Sequence, residues 1–215
     1  MTDPALQAFI AAQTRPESPA LVPEIRLHLA TEVTPLWQAT EAALDRHGLP
    51  PPYWAFAWPG GQALARYVLN QPGLVRGKRV LDFAAGGGIA GLAVAKAGGH
   101  VTCAEIDRVA ATAMAMNAAL NGLALTVAER DVTAEDGDWA VVLAGDVFYE
   151  RPMAERVEPW LRRLAGAGSA VLVGDPGRAY LPKTGLREVA RYTVPTSREL
   201  EDREFRETVI YRLEA

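Results

Sequence analysis

Short apolar runs alternate with helix-spaced apolar patterns from about residue 77 to residue 173. Short continuous runs predict buried strands, and apolar residues three and four positions apart predict helices that pack on a sheet. This alternation is typical of a parallel sheet with right-handed crossovers and helices on both faces. The predicted strands are 79–83, 100–105, 125–128, 140–145 and 170–173, and the predicted helices are 89–97, 108–121 and 153–164, the last interrupted at Pro159.

The end of the chain departs from this alternation. A helix is predicted near 186–190, and strands are predicted at 192–194 and 208–213, on either side of a polar stretch. Because no helix is required between these two strands, we expect them to form an antiparallel pair at the sheet edge. The pattern therefore predicts an α/β fold with a mostly parallel sheet and an antiparallel edge pair.

The sequence of the first 60 residues predicts an N-terminal elaboration of helices and extended segments that packs on this sheet. Asp3, followed by a proline, predicts the start of a short amphipathic helix. After a proline-rich stretch, alternating apolar residues over 24–30 predict a strand, and a second helix is predicted from Thr34 onward. We therefore expect one structural domain, with the elaboration over 1–60 and the main α/β unit over 61–215.

Four aromatic residues crowd into the segment that leads into the α/β unit, and Pro-Gly-Gly follows them. As a surface strand this segment would expose a large apolar patch. Two interpretations therefore remain open. Trp54 and Phe56 fill part of the core, or the stretch from Trp58 to Gln62 forms the wall of a ligand site.

Composition narrows the functional classes. The chain has 215 residues, which suits one domain, and a net charge of −4 with scattered arginines, which does not predict a nucleic-acid surface. Cys103 is the single cysteine and the three histidines are far apart, so we expect no metal site. No apolar run is long enough to cross a membrane, and the N-terminus lacks a targeting pattern. We therefore expect a cytoplasmic protein without a membrane partner.

A glycine cluster follows the first predicted strand at Gly86, Gly87 and Gly88, and a helical pattern follows the cluster. A buried strand, a glycine turn and a helix N-terminus form the cradle of a nucleotide-type cofactor. Glu105 ends the next predicted strand, where an acidic residue commonly binds ribose hydroxyls. This arrangement is shared by NAD-dependent oxidoreductases and by enzymes that use S-adenosyl-L-methionine.

The charge of Asp82 distinguishes these two cofactors. A pyrophosphate prefers unopposed backbone N–H groups and positive potential, whereas Asp82 brings a carboxylate to the turn. S-adenosyl-L-methionine has no phosphate and carries an ammonium and a sulfonium group, which a carboxylate stabilises. Asp82 therefore favours the methyl donor, and the NAD-dependent oxidoreductase stays a less favoured alternative.

Asp82-x-Ala84-x-Gly86-x-Gly88 resembles the first motif of the class I, seven-strand methyltransferases, with Ala84 in place of the usual first glycine. The resemblance implies a Rossmann-like, seven-stranded methyltransferase fold and S-adenosyl-L-methionine as cofactor. Asp107 instead predicts the cap of the helix that begins at residue 108. The cofactor contacts that the resemblance implies are Trp58, Gly60, Asp82, Ala84, Gly86, Gly88, Glu105, Ile106, Asp131 and Asp146.

Asp146-Val-Phe-Tyr149 directly follows the fourth predicted strand. It lacks the diproline of adenine, cytosine and glutamine methyltransferases, and it resembles the lysine methyltransferase group called family 16. Four further stretches resemble members of that group that act on the electron transfer flavoprotein β-subunit. The resemblance therefore implies that this flavoprotein subunit is the partner. Those stretches are Trp54–Gln62, Asn117-x-x-x-Asn121, Gly174–Arg178 and Val194–Glu201.

We expect Asp146 to accept a hydrogen bond from the target amine, and Tyr149 to complete the catalytic site. Tyr149, Trp58 and Phe148 would wall the aliphatic stem of the lysine. Asp175 and Arg178 would contact the partner protein, or pair with each other. A small-molecule N-methyltransferase and a silent cofactor-binding module remain as alternatives, because the same pocket serves them.

Overall fold

The computed structural model describes residues 3–30 and 51–215. In these residues the strands are β1 (Arg15–Glu17), β2 (Leu27–Leu29), β3 (Arg79–Phe83), β4 (His100–Glu105), β5 (Thr126–Glu129), β6 (Val141–Gly145), β7 (Ala170–Asp175), β8 (Leu186–Pro195) and β9 (Phe205–Leu213). The α-helices are α1 (Pro4–Gln13), α2 (Pro59–Asn70), α3 (Ile89–Lys96), α4 (Arg108–Asn121), α5 (Arg151–Gly166) and α6 (Arg198–Glu201), with short 3₁₀ turns at Tyr53–Ala55 and Pro72–Leu74.

Seven strands form one sheet in the order β5-β4-β3-β6-β7-β9-β8. The first five are parallel, whereas β9 pairs antiparallel with both β7 and β8. The predicted α/β fold with an antiparallel edge pair is therefore confirmed. The chain crosses from β5 back past β3 to β6, so the strand order reverses between β3 and β6. In open sheets of this kind ligands bind at the carboxyl ends of the strands beside that reversal.

The two central strands are buried on both faces, which explains their continuous apolar sequence. Alternate residues of β3 and β6 enter different hydrophobic clusters, because side chains of a strand alternate between the two faces. Val80 and Leu143 pack in the cluster that contains residues of α2 and α3, and Leu81 and Val142 pack in the cluster that contains residues of α5. These two cores hold the carboxyl ends of β3 and β6 side by side.

The predicted helix near 186–190 is wrong, because these residues begin the ten-residue strand β8. The register against β9 shifts between Glu188 and Ala190, which marks a β-bulge. A bulge adds one residue to the strand, so the apolar residues Leu186, Val189 and Ala190 acquire the three-and-four spacing of a helix. The local pattern was therefore helical, while pairing with β9 decides the structure.

The predicted interruption at Pro159 is also wrong, since α5 runs unbroken through it. A proline removes one hydrogen bond to the carbonyl four residues earlier. Pro159 and Glu155 both lie on the exposed face of α5, where water can satisfy that carbonyl. The opposite face buries Trp160 and Leu161, and this packing stabilises the helix.

The N-terminal elaboration is described in part. The Asp3 side chain accepts a hydrogen bond from the Ala5 N–H and caps α1, as predicted, and β1 pairs with β2. The predicted helix that begins at Thr34 lies outside the described residues. The expected boundary at residue 60 falls inside α2, so the division of the chain there stays a proposal. In the part of the chain that is described, no helix is both long and apolar enough to cross a membrane.

The close backbone contact between α2 and β7 predicts that a larger residue at Gly174 lowers the stability of the protein. A methyl group on Gly174 would lie 2.5 Å from the Gly60 carbonyl oxygen, and overpacked sites of this kind cost about 1–3 kcal/mol. We therefore expect Gly174→Ala to lower the midpoint of urea denaturation. Gly73→Ala is the control, because a methyl group there meets no atom within 4 Å. An unchanged midpoint for Gly174→Ala would contradict the prediction.

Candidate active site

A cleft of about 1140 Å³ lies at the carboxyl ends of the central strands. The glycine turn after β3, the end of β4, the residues after β6 and the aromatic segment before α2 all contribute to its wall. This is the edge at which the strand order reverses, where ligands bind in sheets of this class. The volume exceeds what a drug-sized ligand needs, so a cofactor and part of a substrate fit together.

The glycine turn at one end of the cleft uses left-handed backbone conformations. Ala84, Gly86 and Gly88 have φ values of 50°, 53° and 80°, a region that glycine adopts without steric cost. A methyl group on Gly88 would also lie 2.8 Å from a side-chain carbon of Met114. Ala84 and Gly86 line the cleft, whereas Gly88 shapes the turn and is the N-cap residue that precedes α3.

Glu105 fixes the turn from the end of β4. One carboxylate oxygen accepts a hydrogen bond of 3.0 Å from the Gly86 N–H, and the other accepts from the N–H groups of Ile106 at 2.8 Å and Asp107 at 3.1 Å. The side chain of Ile106 is exposed beside it and lines the cleft. The predicted role of Asp107 is confirmed, since its carboxylate accepts from the Val109 N–H and caps α4.

Asp82 lies beneath the glycine turn and is almost fully buried, with 3% exposure. Its carboxylate accepts a hydrogen bond of 2.7 Å from the Gly91 N–H. The pKa of Asp82 is raised to about 7, chiefly by burial; the Gly91 hydrogen bond opposes this rise and the charge of Glu105 contributes to it. Asp82 is therefore only about half ionised at pH 7, and a cation bound beside it would stabilise the charged form.

Asp146 occupies the other end of the cleft, and it has a left-handed backbone with φ 56°. One carboxylate oxygen accepts hydrogen bonds from the N–H groups of Gly60 at 2.6 Å and Gly61 at 3.2 Å, in the first turn of α2. Free N–H groups at a helix start favour an anionic partner. Gly60 is itself buried and does not line the cleft, so it acts by holding Asp146.

Arg178 binds the second oxygen of Asp146, with its Nη2 at 2.6 Å and its Nε at 3.1 Å. The same guanidinium pairs with both oxygens of Glu201, and Arg206 pairs with Glu201 as well. Burial raises the pKa of Asp146 to about 6, and the positive charge of Arg178 opposes that shift. The sequence did not indicate Glu201 or Arg206 as site residues, because Glu201 ends α6, Arg206 lies in β9, and both approach the site only through the fold.

Aromatic rings wall the cleft beside Asp146. Tyr53 makes edge-on contacts with Trp58 and Tyr149, with ring centroids 5.8 and 5.7 Å apart. The Arg178 guanidinium lies 5.7 Å from the centroid of the Trp58 ring. Burial raises the pKa of Tyr149 to about 12, so its hydroxyl stays protonated at neutral pH. Trp54 is buried in a core cluster, and Trp58 lines the cleft. Both interpretations of the aromatic segment therefore apply: Trp54 fills part of the core, and Trp58 forms part of the wall of a ligand site.

Two predicted substrate contacts are corrected by the structure. Phe148 has no exposed surface and packs in the core, so it cannot wall a substrate channel. Asp175 is 1% exposed, and its carboxylate accepts hydrogen bonds from the backbone N–H groups of Gly177 and Arg178. It holds the turn that carries Arg178 and is separated from the cleft.

Asp131 lies on the cleft wall at the end that the glycine turn occupies. Its carboxylate accepts hydrogen bonds from the N–H and hydroxyl groups of Thr133 and pairs with Arg156. The Thr133 N–H is the main cause that lowers the pKa of Asp131. Leu6 of α1 and Asp3, which caps that helix, also line the cleft, and the sequence pattern did not indicate that they would reach it.

The chain resembles known proteins over most of its length. A family model described as lysine methyltransferase matches residues 55–184. The electron transfer flavoprotein beta subunit lysine methyltransferase of Xenopus laevis is 37% identical, over 97% of this chain and 87% of that protein. Its human counterpart is 38% identical, over 82% of this chain and 68% of that protein.

Solved structures of methyltransferases share the fold. The magnesium protoporphyrin IX methyltransferase from Synechocystis, with bound S-adenosylmethionine, has a TM-score of 0.55 and 18% identity, over 82% of this chain and 93% of that chain. The ribosomal protein L11 methylase from Lactobacillus delbrueckii has a TM-score of 0.52 and 19% identity, over 74% of this chain and 81% of that chain. At this identity the likeness shows the fold alone.

The raised pKa of Asp82 predicts how stability changes with pH. The folded protein holds a proton on Asp82 up to about pH 7, whereas the unfolded chain releases it near pH 4. Stability therefore falls as pH rises through this window, by roughly 2–3 kcal/mol between pH 5 and pH 8. We expect Asp82→Asn to lose less stability over that range in urea denaturation, and the exposed Asp138→Asn to behave as wild type. Equal pH dependence of Asp82→Asn and wild type would contradict this.

Proposed function

The chain belongs to the lysine methyltransferase family, and from this premise we propose that it methylates a lysine of the electron transfer flavoprotein β-subunit with S-adenosyl-L-methionine as donor. The observation that carries the proposal is a single cleft that joins a cofactor cradle at Glu105 to an aromatic-walled carboxylate at Asp146. The relatives' names support the partner. The family assignment excludes the NAD-dependent oxidoreductase that the glycine pattern had left open.

The residues at the glycine-turn end fit the proposed cofactor. Glu105 presents a carboxylate that can accept ribose hydroxyls, and the ammonium and sulfonium groups would stabilise the ionised form of Asp82. Ala84 and Gly86 provide the close backbone surface, and Asp131 is suitably placed to contact the adenine amine. When bound, S-adenosyl-L-methionine supplies an activated methyl group, and S-adenosyl-L-homocysteine is the product.

Methyl transfer to lysine is an in-line displacement by a neutral amine. At pH 7 a lysine with its usual pKa of about 10.4 is neutral in roughly one molecule in 2,500. Supplying the neutral amine therefore costs about 4–5 kcal/mol, whereas holding the reacting groups in attack geometry contributes roughly 7–11 kcal/mol. Positioning outweighs deprotonation, so the enzyme requires an oriented acceptor more than a strong base.

Asp146 is the proposed acceptor of a hydrogen bond from the lysine amine. Its orientation is fixed on one side by the Gly60 and Gly61 N–H groups and on the other by Arg178. The rings of Trp58 and Tyr149 would enclose the aliphatic stem and face the developing positive charge. Because the pKa of Asp146 is about 6, the carboxylate is mostly ionised at pH 7.

Intact-mass spectrometry of purified electron transfer flavoprotein tests the proposed substrate. After incubation with the enzyme and S-adenosyl-L-methionine, the β-subunit should gain mass in steps of one methyl group. No gain would overturn the proposed partner. Labelling of a small amine in cell extract, in place of any protein, would favour the small-molecule N-methyltransferase.

Asp146→Asn tests the role of the carboxylate, because the amide keeps its shape and loses its charge. We expect its methylation rate to fall at least roughly 100-fold, within the range typical of catalytic polar groups, while calorimetry shows affinity for S-adenosyl-L-homocysteine within a few-fold of wild type. Glu150→Gln removes an exposed charge next to Tyr149 and serves as the control, with an expected rate close to wild type. A near-wild-type rate for Asp146→Asn would show that the carboxylate has no such role.

The cytoplasmic location predicted from the sequence stays a prediction. Fractionation of cells that express the tagged protein checks it, and recovery of the protein in an organelle fraction would contradict it.

A further inference from the structure

Asn117 on α4 is fully buried, and it connects the glycine turn to the N-terminal strand β2. Its side-chain N–H donates a hydrogen bond of 2.9 Å to the Gly87 carbonyl. Its side-chain oxygen accepts a hydrogen bond of 2.7 Å from the His28 N–H. One buried amide therefore joins two parts of the chain that are far apart in sequence.

The peptide between Gly87 and Gly88 is held at both of its polar groups. Asn117 binds the carbonyl, and the Gly88 N–H donates to the Ala85 carbonyl at 2.7 Å. On its other side the turn packs against the aromatic segment, since a methyl group on Gly87 would lie 2.8 Å from the Trp54 carbonyl oxygen. Gly87 lines the cleft, so Asn117 acts on a peptide that faces the cofactor end.

Asn121 lies one helical turn beyond Asn117 and binds Arg26, the residue that directly precedes β2. Its side chain accepts from the Arg26 N–H at 2.9 Å and donates to the Arg26 carbonyl at 2.6 Å. Both asparagines therefore hold the N-terminal segment on α4, and of the two only Asn117 contacts the glycine turn. This difference makes Asn121 a matched control.

We infer that Asn117 is a positioning residue for the cofactor: through Gly87 it sets the glycine turn, and the His28 N–H fixes the orientation of its amide. The N-terminal segment is then a structural part of the cofactor site. The inference rests on the proposed cofactor, S-adenosyl-L-methionine. Loss of Asn117 leaves the half-buried Gly87 carbonyl without the partner that fixes it, and a carbonyl that loses its hydrogen bond favours rearrangement of the turn.

Three variants test the inference. Asn117→Ala removes both hydrogen bonds, and Asn117→Asp keeps the acceptor for His28 but loses the donor to Gly87. Asn121→Ala removes contacts to the N-terminal segment and a hydrogen bond of 2.7 Å to the Asn117 backbone carbonyl, and it leaves the Asn117 side chain with both of its partners. We expect both Asn117 variants to bind S-adenosyl-L-homocysteine about 10-fold more weakly, which corresponds to about 1.4 kcal/mol, and Asn121→Ala to bind within two-fold of wild type.

Kinetics and thermal unfolding separate positioning from stability. The KM for S-adenosyl-L-methionine should rise in the Asn117 variants while kcat at saturation changes little, whereas thermal midpoints should fall in all three variants. Affinity within two-fold of wild type for both Asn117 variants would overturn the inference. Equal weakening by Asn121→Ala would also overturn it, because the effect would then come from general loosening of the N-terminal segment.

Two further outcomes are informative. Near-wild-type binding by Asn117→Asp, together with weak binding by Asn117→Ala, would overturn the step through the Gly87 carbonyl. If the wild type itself binds no S-adenosyl-L-homocysteine, the proposed cofactor fails, and the inference fails with it. Asn117→Asp has nearly the shape of the original side chain, so it carries the test if Asn117→Ala does not fold.

Discussion

The substrate end of the cleft depends on the carboxylate of Asp146. It follows the central strand β6, and its two oxygens bind the start of α2 and the guanidinium of Arg178. A buried carboxylate is tolerated when its charge is paired and its hydrogen bonds are satisfied. These partners come from different parts of the chain. The carboxylate of Asp146 therefore fixes α2 and the turn that carries Arg178 in position relative to β6. Glu201 extends this arrangement to the β8–β9 connection.

The Asp146 interaction requires α2 to lie against the sheet at backbone distance. Methyl groups built on Gly60, Gly145 and Gly174 would each come within 3 Å of a backbone atom of the facing element. Only glycine permits this approach. These three glycines are dispersed in the sequence, and the reason for each becomes visible only when α2, β6 and β7 are placed together.

The central fold was predictable because its signals are local. Alternating apolar patterns locate β3, β4 and β6, and the glycine turn with Asp82 and Glu105 marks the cofactor end. Elsewhere the deciding interaction is distant in sequence. The bulge in β8 gives Leu186 and Ala190 a helical spacing, and pairing with β9 overrides it.

The pattern of hydrophobic and polar positions also did not predict how the side chains that follow β6 are oriented. Asp146 adopts a left-handed conformation that redirects the chain, so Phe148 enters the core while Tyr149 lines the cleft. No periodicity predicts such a turn.

The two ends of the cleft differ in a way that fits their chemistry. Among the described residues Asp82 pairs with no lysine or arginine, so a cationic cofactor would stabilise its ionised form. Asp146 is already balanced by Arg178, so it gives a second cation less stabilisation, and the neutral amine that methyl transfer requires is correspondingly easier to reach.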